Sequence, residues 1–250
     1  MRVTLGACVL ALSSLAAAPE PVTTVETLPI GALVKSHLAT PDGRRVDVES
    51  AVFPRDRVSV GIIDYPVAGP PGATVSRSVV QHVLAAISSG YSGPGSRPQG
   101  LLVMDGAVHS PATNIRSGVV GSTREGDPIV TWIEGTDPHA FRYAMQAGPF
   151  VVDPGGTPGI TRDDGHRARR SIVIESDDGI AVAVTSPCGL YDLMNMLLRE
   201  PRAFGVERVD RALNLSGDAS SGLAVRLPGG GVDSVPERMR VRSVLTIVER

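Results

Sequence analysis

Apolar residues recur along the chain with two periods, and the shorter one dominates. Val46-Asp47-Val48 and Val58-Ser59-Val60-Gly61-Ile62-Ile63 alternate, which puts every second side chain on one face and predicts half-buried strands. Leu101-Leu102-Val103-Met104, then Asp105-Gly106, then Ala107-Val108-His109 predict a hairpin, because Asp-Gly supplies the positive φ of a tight primed turn. Residues 171–176 and 180–185 predict a second hairpin around Asp177-Asp178-Gly179. Its arms are nearly continuous Ile, Val and Ala, the composition of a sheet covered on both faces. Further strands are expected at 211–215, 223–227 and 242–248, the last two separated by the turn Gly229-Gly230-Gly231.

The helical period appears twice. Residues 78–88 carry Val79, Val80, Val83, Leu84 and Ile87 behind Ser78, a stripe that predicts a short helix with Ser78 as N-cap, although its β-branched residues also suit a strand. Leu190, Leu193, Met194, Leu197 and Leu198 form the clearer stripe, and Pro201 ends it. Residues 89–100 hold four Gly and two Pro and are expected as a loop. These elements predict an α+β fold: a single domain over residues 30–250, mostly antiparallel or mixed β-sheet with a few packed helices, behind a Pro/Thr-rich linker at 19–29.

Residues 1–18 have one positive charge at Arg2, an apolar run through Leu5, Val9, Leu10, Leu12 and Leu15, and the small-residue end Ala16-Ala17-Ala18. That is the pattern of a secretory signal peptide, too short to span a bilayer. It predicts an exported protein, periplasmic or secreted, with no transmembrane segment in the mature chain. Cleavage would remove Cys8 and leave Cys188 alone, as a buried structural thiol.

Composition narrows the function classes. The chain of 250 residues is 42% hydrophobic and 20% charged with a net charge of -2, which excludes both a disordered chain and a basic nucleic-acid binder. Its 28 Gly and 20 Pro against 4% aromatic residues favour short strands and many turns. Lys35 is the only lysine, so nearly every cation is an arginine, whose fork suits planar oxyanions.

The candidate chemistry begins at Asn214, where a buried-looking strand runs into Ser216-Gly217-Asp218-Ala219-Ser220-Ser221-Gly222. Small and hydroxylated residues at a strand end let backbone N–H groups approach an anion. Residues 214–223 resemble the Asn-Leu-Asp-Gly-Gly-x-Ser-Ser motif of the phosphodiester glycosidase family. Three further blocks stand in that family's order: Arg97-Pro98-Gln99-Gly100 leading into Leu101–Gly106, Gln146-Ala147-Gly148-Pro149, and Arg170-Ser171 with its hairpin and helix.

The resemblance implies a hydrolase of glycosyl phosphodiesters. Arg170 would hold the phosphate and Asp218 would supply the carboxylate. Gln146, Gly148, Asn214, Ser216 and Gly217 would contact substrate, and Ser220 and Ser221 would offer hydroxyl or backbone donors. The neighbouring Arg167 and Arg169 are read as solvated loop residues. The chain departs from the family at Ser88, where Asn is usual, at Ser216, where Asp is usual, and at Asp218, where Gly is usual. Losing a carboxylate removes a general acid or base, so the alternative is a non-catalytic envelope protein that binds a glycan or phosphate on the same fold.

Other constellations carry less. The histidines have no zinc-like spacing and no cofactor motif is present. Asp163-Asp164 and Asp177-Asp178 offer oxygen ligands for a structural Ca²⁺, but such turns are more often purely structural. Ser220 lacks a Gly-x-Ser-x-Gly elbow. Trp132 suits either stacking on a sugar or packing.

Overall fold

Runs of β-branched residues punctuated by Gly and Pro give short strands, and every strand pairing among the described residues is antiparallel. The computed structural model describes residues 22–65, 74–93, 95, 97–177 and 179–250. The leader expected at 1–18 and Asp178 of the second hairpin lie outside them.

One eight-stranded sheet runs in the order β1 (Val22–Thr27), β2 (Ala32–Ala39), β3 (Arg45–Pro54), β14 (Gly179–Cys188), β13 (Ala168–Glu175), β15 (Arg211–Gly217), β11 (Phe150–Asp153) and β12 (Thr157–Pro158). A second sheet of five follows β7 (Ala107–Ser110), β6 (Leu102–Met104), β10 (Phe141–Ala147), β8 (Gly118–Thr123) and β9 (Pro128–Trp132). A third sheet of five follows β17 (Val232–Val235), β16 (Leu223–Arg226), β5 (Val83–Ser89), β18 (Ser243–Glu249) and β4 (Val58–Asp64).

Alternation along the central strands divides the core. Val173, Val182, Leu213 and Leu215 face Leu84, Ile87, Leu245 and Ile247 of the third sheet. Their neighbours Ile172, Ile174, Ala181, Ala183 and Ala212 face α2 (Leu190–Arg199) through Leu193, Met194 and Leu197. The second hairpin is therefore covered on both faces, as its apolar arms require. The first is closed by Asp105 at φ 47° and Gly106 at φ 77°, the two positive values a type I′ turn needs.

Two expectations are corrected. Residues 83–89 are not helical: they form β5, in the middle of the third sheet, with all seven residues buried. A strand buried on both faces loses its alternation and its apolar run then passes for a helical stripe. The helix that does exist there, α1 (Thr74–Ser78), ends at Ser78, whose hydroxyl bonds back to the Thr74 carbonyl at 2.7 Å. Within 19–29, read as linker, residues 22–27 pair along their whole length with β2 as an edge strand.

Candidate functional site

The ends of β5, β10, β14 and β15 and the beginnings of β11 and β13 meet at one end of the large sheet. There Arg170, at the start of β13, is paired with Gly217 and Thr185. Register then does something particular. Ser171 pairs with Ser216 and Ile172 with Asn214, leaving Leu215 as an extra residue. Residues two apart in a strand ordinarily share a face, and the extra residue lets Asn214 and Ser216 face opposite ways.

Asn214 thus leaves β15 on the face of Ile172, opposite the face that packs on the third sheet. Its amide donates to the Tyr91 hydroxyl at 2.7 Å and to the Gly148 carbonyl at 3.5 Å, and because a carbonyl only accepts, this fixes which amide atom is nitrogen. Tyr91 in turn donates to the Gly148 carbonyl at 3.0 Å. Asn214 Oδ1, on a residue 3% exposed, has no hydrogen-bond partner. Gly148 fits by its backbone: at φ 146°, preceding a cis peptide to Pro149, its N–H bonds the Asn214 carbonyl at 2.9 Å.

Arg170 is 6% exposed. Its guanidinium donates to the Cys188 and His166 carbonyls, each at 3.3 Å, and lies 3.4 Å from His166 Nδ1. Among the described residues no carboxylate pairs with it. Arg116 stacks its guanidinium 3.7 Å from the Tyr91 ring centroid and has an unpartnered buried Nε. Burial pushes the Tyr91 phenol above its usual range, while the fields of Arg116 and Arg170 and the Asn214 hydrogen bond pull it back. Tyr91 therefore keeps its proton at neutral pH and lies in the field of two cations that no carboxylate pairs among the described residues.

Ser216 turns inward instead. Its hydroxyl is 3.3 Å from Ser88 and 3.2 Å from Ser220, and Ser88 is 3.0 Å from Ser171. Ser88 also accepts the Gly222 N–H at 2.8 Å. The two positions where the chain departs from the usual Asn and Asp are thus in contact across the interior. Both are serine.

The predicted residues do not all converge. Asn214 and Gly148 meet at the Tyr91 hydroxyl and Arg170 acts on it through its field, with Gly217 across the strand pair. Gln146 is 1% exposed, and its amide is consumed by backbone: Oε1 accepts from Leu101 and Thr113 at 2.9 and 3.0 Å, and Nε2 donates to Thr113 and Arg116 at 2.6 and 2.8 Å. Its substrate contact is corrected to a clasp on the 113–116 loop, since a side-chain amide has no fifth hydrogen bond to give. Ser220 bonds the Gly217 carbonyl at 2.6 Å, while the buried Ser221 hydroxyl has no partner. Asp218 is exposed, in the left-handed region at φ 58°, and its charge acts on Arg169.

Arg169 is also corrected. It is 7% exposed and donates to the Pro236 carbonyl at 3.2 and 3.3 Å, so it is not a solvated loop residue. Arg167 pairs with Asp163 at 2.7 Å and approaches Asp192 at 3.4 Å. That pairing occupies one half of the Asp163-Asp164 calcium candidate, and Arg208 occupies Asp177 in the same way. Among the described residues no cluster of three or more His, Cys, Asp or Glu is arranged to hold a metal. Cys188 is free and buried, and burial raises its thiol pKa. Tyr91 and Arg116 were missed as site residues: both lie in loops, where no period marks them.

The serine-rich turn after β15, the buried arginine at the head of β13 and the Gly-Pro junction define one protein class. The sequence profile of the phosphodiester glycosidase family matches residues 81–248, and the chain belongs to that family. No curated protein matches it in sequence. Among solved structures it is similar to the catalytic domain of zebrafish N-acetylglucosamine-1-phosphodiester alpha-N-acetylglucosaminidase, auto-inhibited by its pro-peptide, at 15% identity and TM-score 0.66, over 94% of this chain and 85% of that one. A hypothetical protein from Synechocystis is similar at 16% identity and TM-score 0.65, over 94% of this chain and 64% of that one. At these identities the likeness is one of fold. Among the described residues no helix is long and apolar enough to cross a membrane.

Proposed function

We propose that the protein is exported and hydrolyses a glycosyl phosphodiester. The observation that carries the reading is Arg170: a buried guanidinium with no carboxylate partner among the described residues, whose field reaches the Tyr91 hydroxyl that Asn214, with its Oδ1 unpartnered, also bonds. A phosphodiester supplies what both lack, an anion for the arginine and a sugar hydroxyl for the amide oxygen. In the reaction a water oxygen bonds to the anomeric carbon and the bond from that carbon to the phosphoryl oxygen breaks. Its electrons stay on the phosphate, which departs as a monoester held by Arg170. The water proton passes to Asp218, the carboxylate at the end of the serine-rich turn.

Incubating the purified protein with a methyl diester of N-acetylglucosamine 1-phosphate should convert the ³¹P signal from diester to monoester. Arg170→Ala should lower kcat/KM by about 10²- to 10³-fold. Full activity in that variant would overturn the assignment. Export predicts a mature N-terminus near Pro19, which intact-mass measurement of protein from the producing cell would show.

The contact between Ser88 and Ser216 supports a second reading, binding without turnover, because the usual amide and carboxylate are replaced together. Ser88→Asn with Ser216→Asp and Asp218→Gly distinguishes the two. Activity that appears only in this triple variant favours the binder.

A further inference from the structure

A cleft of about 700 Å³ is lined by Arg116 and the loop residues around it. Its size is within the ~300–1,000 Å³ typical of small-ligand sites. It is walled by Trp132 and Ile115, which are 40% and 61% exposed although both are large apolar side chains. Trp132 leans on Phe150, ring centroids 4.4 Å apart and planes tilted by 54°, so one part of the indole is fixed while the rest is open to the cleft.

The polar groups around this platform are uncommitted. Glu134 is exposed and makes no ion pair among the described residues, and Asn114 beside it is also exposed. The Gln146 clasp holds the 113–116 loop in place, so Asn114 is presented on a fixed backbone. Pro149, next to the Gly148 carbonyl that binds Tyr91 and Asn214, lines the same cleft.

An aromatic platform beside an exposed carboxylate and an exposed amide matches a pyranose. A pyranose pairs an apolar C–H face with hydroxyls that both donate and accept. We infer that the Trp132 cleft is a saccharide subsite, holding neutral pyranose residues adjacent to the anion site at Arg170. The inference stands apart from hydrolysis, since a binder without turnover would use the same cleft.

Trp132 is the only tryptophan in the chain, so its fluorescence reports on the cleft alone. The purified protein is titrated with chitotriose, cellotriose and maltotriose, and separately with inorganic phosphate. The expected result is a saturable change in Trp132 emission with at least one trisaccharide. It should be retained in Arg170→Met and weakened about tenfold in Glu134→Ala, the worth of a charge-assisted hydrogen bond. Trp132→Ala should abolish binding of that trisaccharide in calorimetry. The exposed variants Glu134→Ala and Asn114→Ala keep the question answerable if Trp132→Ala fails to fold. Absence of any emission change with all three sugars overturns the subsite, as does binding unaltered in both exposed variants. Trisaccharide binding without diester cleavage leaves the subsite standing and removes the hydrolase reading alone.

Discussion

Arg170 holds a charge where the protein does little to neutralise it, and this makes stability an independent test of the anion site. Its three contacts, two at 3.3 Å and one at 3.4 Å, are long for a guanidinium, and none is to a carboxylate. A buried ion without a counter-ion costs several kcal/mol after relaxation, of which long hydrogen bonds to neutral acceptors return only part. Arg170→Met keeps most of the apolar stem and removes the charge. We expect the variant to be more stable than the natural protein by ~1–3 kcal/mol, which for a chain of this size raises Tm by roughly 2–12 °C. Phosphate should close or reverse the gap. At a hundredfold excess over its Kd a bound anion adds about 2.7 kcal/mol to the natural protein and nothing to the variant. Thermal melting of both proteins at pH 7, in phosphate and in chloride of equal ionic strength, reads both effects. The reasoning fails if Arg170→Met melts below the natural protein in chloride, or if phosphate raises both Tm values equally.

Other predictions follow from single residues. Because burial raises the Tyr91 pKa on folding, its stabilising contribution is complete below the unfolded value of about 10 and is lost as pH rises through the folded one. Tyr91→Phe should therefore flatten the alkaline limb of a stability–pH curve, and an unchanged limb would count against this. Gln146→Ala strands buried backbone groups at Leu101, Thr113 and Arg116. It should cost ~2–4 kcal/mol in urea unfolding and raise KM through the displaced loop rather than lower kcat alone. Leu197→Ala, at a fully buried position of α2, should cost about 2–5 kcal/mol with kcat unchanged, because Leu197 sits in the apolar cluster of Ile174, Ala183 and Phe204 and carries none of the site's polar groups.

How far the sequence could be read depended on whether a residue's environment leaves a local mark. β4 and α2 each have one buried side, so period alone located them, and the turn at Asp105-Gly106 was written in its two residues. β5 has no exposed side and no period, and β1 is a polar edge strand whose residues 23–27 are all exposed. Neither leaves a pattern that distinguishes it. At the site, Arg170 and Asn214 were visible through motif order. Gln146 was visible too, but which of its atoms remain free is set by Leu101, Thr113 and Arg116, distant in sequence. The bulge at Leu215 explains why Ser216 and Asn214, two residues apart, serve different surroundings, and it arises from pairing with β13, which a single strand's sequence does not specify.

That bulge makes β15 a partition. On its outer side stand Asn214, Gly217 and the neighbouring Arg170, where a ligand's charge would be met. On its inner side Ser216 joins Ser88 and Ser171 in a closed hydroxyl cluster. This chain's departures at Ser88 and Ser216 fall together on the inner one. A single strand thereby carries two polar environments, and the paired serines belong to only one of them.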